Sequence, residues 1–410
     1  MFPTAFLTSL VLALTVAANP VLIPRSSVTL PLSRRVNVTS IHNLVRHDVT
    51  RAKALKARGL AKANGFSIDA VINEQVDNQA VTYIASVGVG SPATTFSLLI
   101  DTGSSNTWVG ATQPFVRTST SVQTSNRVSV TYGSGSFSGT EFTDQVTIAP
   151  GLVIPNQSIG VASRSQGFEG VDGILGIGPV DLTLGTLSPA TSSLIPTVTD
   201  NLFSRGIITA NEIGISFEPT TTVESLNGEL TWGGTDSSKF TGSIGFSPIT
   251  STSPANEFWG INQSIRYGTS TTILASTAGI VDTGTTLVLI ATDGFNRYVR
   301  ATGAVNDATT GLLRLTSAQF ANLQSLFFTT NGVAFELTAN AQLWPRSLNT
   351  AIGGTAGSIY LIVADLGSPS GEGFDFVDGF AFLERFYSVF DTTNKRVGFA
   401  TTPFTHATTN

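Results

Sequence analysis

The sequence is poor in the residues on which most hydrolytic sites depend. Its 410 residues include no cysteine and three histidines, which are His42, His47 and His406. Because none of them lies in the long middle of the chain, that part cannot form a Ser-His-Asp triad, a Cys-His pair or a histidine-rich zinc site. A disulfide framework is excluded as well. An acid or base catalyst in the middle of the chain must be a carboxylate, a lysine or a tyrosine.

Charged residues are also scarce, at 12% of the chain, whereas glycine is abundant, at 40 residues. The remainder is rich in Ser, Thr, Val and Ile, a mixture typical of an all-β protein with many turns. From Val81 onward, short apolar runs alternate with Gly, Pro, Asn and Ser. We predict strands over 81–90 and 95–100, and a hairpin over 128–148 with its tip at 133–136.

Helical patterns are few. Residues 316–328 predict a helix that begins after Thr316 and places three apolar side chains on one face. We expect a short helix near 197–205. Residues 41–63 are rich in Ala and Leu, with Lys and Arg at the polar positions, and predict a basic helix. The basic helix is either a solvated helix without a special role or part of an inhibitory segment.

Positive and negative charges are unevenly distributed. Residues 19–72, here called the leader, carry nine of the 22 Lys and Arg but two of the 27 Asp and Glu. The remaining residues, 73–410, therefore carry 13 basic and 25 acidic side chains. A basic leader thus precedes an acidic body, and an acidic body repels nucleic acid. We expect no nucleic-acid partner.

The first 18 residues predict export. Residues 1–18 form a short apolar run that ends in small residues, as a secretory signal peptide does. A membrane anchor is disfavoured because the run is short and has no flanking stop signal. Later apolar stretches are interrupted by Asp, Gly or Pro, so we predict a secreted, extracellular protein without a membrane anchor. Asn156 and Asn262 begin Asn-x-Ser/Thr triplets and are candidate glycan sites.

One motif occurs twice. LLIDTGSSNTWVG spans 98–110 and AGIVDTGTTLVLI spans 278–290, so that Asp101 and Asp282 each follow an apolar strand and begin a D-T-G turn. A single D-T-G is weak evidence, because Asp and Gly are ordinary turn residues. Two copies half a chain apart predict a duplicated domain with one aspartate in each half.

Two such loops are able to perform acid–base chemistry if they meet. Carboxylates within hydrogen-bond reach cannot both ionise easily, so they share one proton. The ionised member then acts as a general base on water, and the protonated member polarises a carbonyl group. Amide hydrolysis by this route requires no histidine or cysteine side chain and no metal or other cofactor.

The ordered motifs resemble those of the pepsin-like aspartic peptidases, the family that exemplifies shared-proton carboxylates. The likeness is closest to secreted fungal enzymes of the polyporopepsin type and covers about residues 75–400. Its markers, besides the two D-T-G loops, are YGSGSFSG (132–139), VDGILGIG (171–178) and FYSVFDTTNKRVGFA (386–400). The resemblance implies an all-β, bilobal fold. In it, two β-barrel-like lobes are related by a pseudo-two-fold axis and enclose the active-site cleft.

The resemblance also assigns roles around the two aspartates. Asp101 and Asp282 would hold the nucleophilic water. Thr102 and Thr283 would make hydrogen bonds between the loops. The remaining supporting residues approach or bond the carboxylates, and they are Gly103, Ser104, Gly284 and Thr285.

The flap of the family, a hairpin that covers the cleft, is matched by Tyr132, Gly133 and Ser134. The resemblance implies that the Tyr132 hydroxyl reaches Trp108 and that the next two residues bond the substrate backbone. Three apolar residues are candidates for the pocket that takes the side chain before the cut: Leu99, Phe168 and Ile174. An apolar pocket favours hydrophobic residues around the scissile bond, by about 1–3 kcal/mol per methylene.

The chain departs from the family at two points. It has no disulfides, so loop rigidity must come from packing. Where many relatives have Leu-Gly-Asp near the second supporting segment, this chain has Asp378-Gly379-Phe380, which puts the local loop conformation in doubt.

The implied organisation is a signal peptide (1–18), a basic inhibitory prosegment (19–72), an N-terminal lobe (73–243) and a C-terminal lobe (244–410). We expect Lys56 or Lys62 to lie against the two aspartates in a zymogen. Acid would release the leader, with a mature N-terminus between about Gly65 and Ala80.

The whole pattern predicts a secreted, monomeric aspartic endopeptidase that works at acidic pH. Its partners would be protein or peptide substrates and pepstatin-type inhibitors. Two alternatives remain, a catalytically silent binding protein on the same fold and an unrelated secreted β-protein. The intact aspartates, glycines and flap tyrosine disfavour the first. The ordered markers disfavour the second.

Overall fold

The fold was analysed in a computed structural model, which describes residues 27–36, 44–64, 81–133 and 135–410. The predicted signal peptide, the expected processing region between Gly65 and Ala80, and the flap residue Ser134 lie outside the described residues. No helix among the described residues is long and apolar enough to cross a membrane.

Strands dominate the described part of the chain. In the first half they are β1 (Val28–Val36), β2 (Val81–Val89), β3 (Thr94–Asp101), β4 (Trp108–Val109), β5 (Val122–Thr131), β6 (Ser136–Ala149), β7 (Leu152–Gln166), β8 (Gly173–Gly176), β9 (Leu187–Ser188), β10 (Glu212–Phe217), β11 (Glu224–Trp232) and β12 (Thr241–Pro248). In the second half they are β13 (Gly260–Tyr267), β14 (Thr271–Val281), β15 (Val288–Ile290), β16 (Val305–Asn306), β17 (Leu313–Leu315), β18 (Leu326–Thr330), β19 (Val333–Leu337), β20 (Ile359–Tyr360), β21 (Val363–Asp365), β22 (Phe376–Asp378), β23 (Phe386–Asp391) and β24 (Arg396–Thr401). The α-helices are α1 (Leu44–Ala63), α2 (Val198–Ser204), α3 (Thr292–Thr302), α4 (Ser317–Phe320) and α5 (Phe380–Leu383).

The strands form three sheets. The largest has the order β12-β24-β23-β10-β11-β1-β2-β3-β8-β4-β7-β6-β5-β9, and an additional pairing of β2 with β6 curls it back on itself. The second has the order β19-β18-β13-β14-β22-β15-β21, and a small third sheet contains β16, β17 and β20. The prediction of an all-β, bilobal fold is confirmed.

The two D-T-G strands have matching surroundings. β3 pairs in parallel with β8, and β8 pairs antiparallel with β4. In the second half β14 pairs in parallel with β22, and β22 pairs antiparallel with β15. This repeated three-strand arrangement is the structural form of the duplicated motif, and it brings the two loops to corresponding positions.

Most local predictions are confirmed. The hairpin pairs Thr131 with Ser136, and α2 begins at the capping box of Thr197 and Asp200. The helix predicted over 316–328 is wrong beyond Phe320. Its N-terminal capping box at Thr316 is present, but residues 326–330 form β18, which pairs with β13 and β19. Strand pairing there overrides the helical spacing of the apolar residues.

Candidate active site

Each D-T-G loop follows a strand whose last residues are buried on both faces. Residues 98–100 of β3 precede Asp101, and residues 278–281 of β14 precede Asp282. Apolar side chains on both faces fix such a strand in the core. Each aspartate therefore leaves its strand at a fixed point, and both are 0% exposed.

Two threonines link the loops. The Thr102 amide donates to Thr283 Oγ1 at 3.0 Å, and the Thr283 amide donates to Thr102 Oγ1 at 2.9 Å. The Thr102 hydroxyl donates to the Val281 carbonyl at 3.2 Å, and the Thr283 hydroxyl donates to the Ile100 carbonyl at 3.0 Å. These four reciprocal bonds hold the loops face to face.

The supporting residues bond the carboxylates in the same way in both loops. The Gly103 amide donates to Asp101 Oδ1 at 2.9 Å, and the Ser104 hydroxyl donates to Asp101 Oδ2 at 2.5 Å. The Gly284 amide donates to Asp282 Oδ1 at 3.1 Å, and the Thr285 hydroxyl donates to Asp282 Oδ2 at 2.5 Å. Each carboxylate thus has one inner and one outer oxygen in a defined orientation.

Glycine is required where the loops meet. A Cβ atom at Gly103 would lie 2.5 Å from Asp282 Oδ1, and one at Gly284 would lie 2.8 Å from Asp101 Oδ1. Each glycine is therefore packed against the carboxylate of the opposite loop. A side chain at either position would force the two aspartates apart.

A cation from the leader joins the two carboxylates. Arg51 Nη2 donates to Asp101 Oδ1 at 2.6 Å and to Asp282 Oδ1 at 2.9 Å, and Arg51 Nε donates to Asp282 Oδ2 at 2.8 Å. The expectation of a lysine here is wrong. Lys56 pairs with Glu372, and Lys62 Nζ lies 2.6 Å from Glu257 Oε2.

Helical phase explains why Arg51 is the residue in the cleft. The buried face of α1 consists of Leu44, His47, Asp48, Arg51, Ala52, Leu55, Arg58 and Gly59. Their spacing of three or four residues follows one side of a helix. Leu44 and Leu55 define this side in the sequence, and Arg51 is in phase with both, whereas Lys56 is not. Lys62 has the same phase but lies eleven residues, or about 16 Å, farther along the helix axis than Arg51. The apolar stripe therefore places Arg51 on the buried side, and its position along the helix places it between the aspartates.

Asp48 is a second leader residue that the sequence analysis missed. It is 0% exposed, and its Oδ2 accepts the amides of Thr286 at 3.0 Å and Leu287 at 2.7 Å. These amides follow the second D-T-G loop directly. His47 Nδ1 lies 3.1 Å from Asp48 Oδ1. The helix is thus attached to the loop beside Asp282 through a carboxylate as well as through Arg51.

The two aspartates differ electrostatically. Burial raises the pKa of Asp101, against the effect of Arg51 and with that of the nearby Asp282 charge. Burial also opposes ionisation of Asp282, but the Arg51 charge and the hydrogen bonds from Arg51 and Thr285 outweigh it and lower the pKa of Asp282. The site is a carboxylate pair bridged by one arginine. Nowhere in the described ranges do three or more His, Cys, Asp or Glu side chains form a group that could hold a metal ion.

The flap hairpin lies over α1. A Cβ atom at Gly133, where φ is +80°, would lie 2.5 Å from Ala54 Cβ and 2.8 Å from the Thr50 carbonyl. Tyr132 is buried, and among the described residues its hydroxyl and the Trp108 indole N–H have no hydrogen-bond partner of normal geometry. The Trp108 indole nevertheless acts on the Tyr132 hydroxyl as a neighbouring donor and opposes the rise in the pKa of Tyr132 that burial causes, so the two side chains are in contact. Phe168 packs edge-on against both rings, with centroid distances of 4.8 Å to Trp108 and 5.5 Å to Tyr132.

The predicted pocket residues lie together. Leu99, Phe168 and Ile174 belong to one buried apolar cluster with Trp108 and Tyr132, separate from the main core. The cluster is next to the first D-T-G loop, because Leu99 is two residues before Asp101 and pairs with Ile174 across β3 and β8. An apolar surface is thus available beside the carboxylates.

Comparisons with known proteins identify the family of the chain that carries this pair of carboxylates. The eukaryotic aspartyl protease family matches residues 82–402. The chain belongs to the pepsin-like aspartic protease family. Polyporopepsin of Irpex lacteus is 72% identical to the protease over 333 residues, which are 81% of this chain and 98% of that protein. Gastricsin of Cavia porcellus is 30% identical over 379 residues, 87% of this chain and 89% of that protein.

A solved structure agrees with these relatives. The crystal structure of the aspartic proteinase from Irpex lacteus matches the protease with a TM-score of 0.81 and 62% sequence identity, and the match covers 94% of this chain and 100% of that chain. The protease is an aspartic endopeptidase, since its relatives are aspartic proteases and include polyporopepsin, pepsin A and cathepsin E.

Proposed function

We propose that the protease is secreted as a zymogen and that, once activated, it hydrolyses internal peptide bonds at acidic pH through Asp101 and Asp282. The observation that carries this proposal is the Arg51 bridge between the two carboxylates. A group that occupies both carboxylates also excludes substrate. In this proposal residues 1–18 are a signal peptide, residues 19–72 are the inhibitory prosegment, and 73–243 and 244–410 are the two lobes.

The chemistry begins when α1 leaves the cleft. Without the Arg51 charge, the two carboxylates repel each other and share one proton. The ionised aspartate removes a proton from a water molecule, and the protonated aspartate donates a hydrogen bond to the carbonyl of the scissile peptide bond. The water oxygen then attacks the carbonyl carbon, and the protonated aspartate gives its proton to the carbonyl oxygen. The C–N bond breaks as the amine nitrogen takes the proton that the other aspartate removed from water, and one hydroxyl of the intermediate returns its proton to the carboxylate pair as the new carboxyl group forms. Ser104, Thr285 and the two loop glycines hold the carboxylates during these steps.

Substrate recognition is assigned to the flap and the apolar cluster. Gly133 and Ser134 would bond the substrate backbone, and Tyr132 and Trp108 would cover the site. Leu99, Phe168 and Ile174 would receive a hydrophobic side chain, because they present apolar surface next to Asp101. We expect peptides and proteins as substrates, pepstatin-type compounds as inhibitors, and a monomeric, extracellular enzyme.

Both candidate glycan sites suit a secreted enzyme. Asn156 and Asn262 are exposed on β7 and β13, and Asn156 has a positive φ of 57°. Exposure is needed for a glycan to be attached. A loss of mass after glycosidase treatment that is abolished in an Asn156→Gln, Asn262→Gln variant would support occupancy.

The main experiment uses the secreted precursor. After incubation at pH 3–4, we expect a new N-terminus between about Gly65 and Ala80 and casein cleavage that pepstatin blocks. Asp101→Asn should abolish the cleavage, while a change at the half-buried Asp236, such as Asp236→Asn, should not. Activity of the unprocessed chain at full rate would contradict the zymogen proposal, and an active Asp101→Asn variant would contradict the catalytic assignment.

A further inference from the structure

A buried carboxylic acid lies directly behind the second active-site loop. Asp378 is the last residue of β22 and is 0% exposed. Its carbonyl accepts the amide of Asp282 at 3.1 Å, and the Phe380 amide donates to the Thr285 carbonyl at 2.9 Å. Residues 378–380 therefore hold both ends of the loop that carries Asp282.

The corresponding position in the first half of the chain is apolar. Leu175 lies opposite Ile100 on β3, one residue before the loop aspartate, as Asp378 lies opposite Val281 on β14. Leu175 is also 0% exposed. The backbone arrangement is thus built with an apolar side chain in one half, so the carboxyl group in the other half is an addition that the fold itself does not require.

Gln263 is the polar partner of this carboxyl group. Gln263 Nε2 donates to Asp378 Oδ1 at 3.2 Å, and Gln263 is 0% exposed. Within the described part of the chain, two buried atoms then remain without a partner, Asp378 Oδ2 and Gln263 Oε1. Both are acceptors if Asp378 is ionised, and two unmatched buried acceptors are costly. If Asp378 carries a proton on Oδ2, that oxygen becomes a donor and complements Gln263 Oε1.

The surroundings favour the protonated form. Burial raises the pKa of Asp378 to about 8, against the small lowering by the Gln263 hydrogen bond. β14, β15 and α5 contain no charged residue, and on β13 the Arg266 guanidinium bonds the Gly268 carbonyl while the Tyr267 hydroxyl accepts the Gln324 amide. The other titratable groups beside these elements have partners of their own: Asp282 (Arg51), Asp375 (Gly371 and Glu372 amides), Glu384 (Arg34) and Arg385 (Phe404 and Ala407 carbonyls).

We propose that Asp378 and Gln263 form a neutral acid–amide pair that positions the loop carrying Asp282, and that ionisation of Asp378 loosens this loop and limits the stability of the protease above acidic pH. Asp378 is a positioning residue, since its backbone and not its carboxyl group contacts the catalytic loop. This inference rests on the proposed catalytic role of Asp282.

The pH dependence has a defined sign. A buried acid whose folded pKa is raised above its unfolded value, about 3.9, costs no stability below that value. The cost grows as the pH rises from about 4 and becomes constant above the folded pKa. An uncharged amide at position 378 keeps the hydrogen bond to Gln263 and carries no such cost.

The test compares Asp378→Asn with the unmodified precursor by thermal unfolding from pH 5 to pH 9, above the pH range in which the precursor is expected to convert rapidly. We expect the smallest difference between the two midpoints at pH 5, and an advantage for D378N that grows with pH and levels off above about pH 8. After acid activation, D378N should retain peptide cleavage within about twofold. Asp375→Asn is the matched control, because Asp375 is also buried but accepts two backbone amides, which an asparagine side chain replaces only in part, so it should show no growing advantage.

A second variant tests the positioning role. Gln263→Leu removes the partner of the acid, and we expect a fall in kcat of about tenfold with KM changed less than twofold, because the apolar cluster of the first half is untouched. If D378N does not fold, the double variant D378L/Q263L, which copies the Leu175 arrangement, provides the same unfolding comparison. A constant difference across the pH range, or failure of both variants to fold, would overturn the inference. An inactive parent enzyme would instead contradict the proposed function, since the unfolding data do not depend on activity.

Discussion

Arg51 and Asp282 form a two-pronged ion pair, with Arg51 Nε 2.8 Å from Asp282 Oδ2 and Arg51 Nη2 2.9 Å from Asp282 Oδ1. The planar guanidinium matches both oxygens of the carboxylate at once, and the same Nη2 also reaches Asp101. A lysine ammonium, which is a point charge, cannot reproduce this geometry. The choice of arginine therefore determines how tightly the cleft is closed.

Replacing Arg51 by methionine should weaken the closed state strongly. Removing one partner of a buried ion pair costs about 3–5 kcal/mol, because a buried charge is left alone. We expect R51M to convert to the mature form at a higher pH than the parent, and R51K to lie between them. Arg46→Met is the matched control, since Arg46 is on the exposed side of the same helix. Conversion is monitored by gel electrophoresis. If R46M and R51M convert at the same pH, this role of Arg51 is contradicted.

The acid trigger should depend on Asp282 more than on Asp101. The lowered pKa of Asp282 means that its pair with Arg51 stabilises the closed state above the ordinary aspartate pKa, about 3.9, and is lost as the pH falls through the lowered value. The raised pKa of Asp101 acts in the opposite direction. Conversion rates measured from pH 2 to pH 6 should rise steeply below about pH 4 in the parent. For the Asp282→Asn variant, active enzyme is added to carry out the conversion. The conversion rate of this variant should depend much less steeply on pH. An unchanged steepness in that variant would assign the trigger to another group.

Asp48→Asn should also speed conversion. The carboxylate accepts the Thr286 and Leu287 amides in a buried position, and loss of such charge-assisted bonds costs about 1.5–3 kcal/mol. We expect half-times of conversion at pH 4 to shorten by at least tenfold. Lys53→Ala, an exposed change on α1, is the control. Half-times within twofold of the parent would show that Asp48 does not hold the helix.

Gly284→Ala should damage catalysis with little effect on folding. Its Cβ atom would lie 2.8 Å from Asp101 Oδ1, so the two carboxylates would have to separate. Displacement of a catalytic group by about 1 Å costs roughly 100-fold in rate. Gly234→Ala is the control, because the nearest atom to its added Cβ is Ser27 Cβ at 3.7 Å, an ordinary contact. Comparable kcat values for G284A and G234A would contradict the assigned approach of the loops.

The features that could be predicted from the sequence are those that depend on residues close together in the chain. Apolar runs that end in Asp-Thr-Gly locate both loops, and the Gly133–Gly135 region locates the flap turn. The helix α1 is also predictable, but the residue that enters the cleft follows from its phase, which Leu44 and Leu55 set and composition does not. α3 was not predicted, because its buried side consists of Gly294, Tyr298 and Thr302 and shows little apolar periodicity.

Other features depend on contacts between distant segments. β18 has the spacing of a helix, and it is a strand because Phe327 pairs with Arg266 and Glu336 on two neighbouring strands. The partnership of Asp378 with Gln263 joins positions 115 residues apart. Neither pairing leaves a local trace in the sequence, since nothing near residue 378 indicates which strand lies across from it.

β1 belongs to the leader, yet it lies inside the largest sheet, between β11 and β2, with backbone bonds on both sides. Cutting away residues up to 72 thus withdraws an interior strand and leaves two facing rows of unpaired amides and carbonyls. It also deprives buried Glu384 of Arg34, whose Nε lies 2.8 Å from Glu384 Oε1. In the proposed zymogen, maturation would therefore include a refolding event within the sheet, and a leader peptide added back later would have to reopen that sheet before it could inhibit.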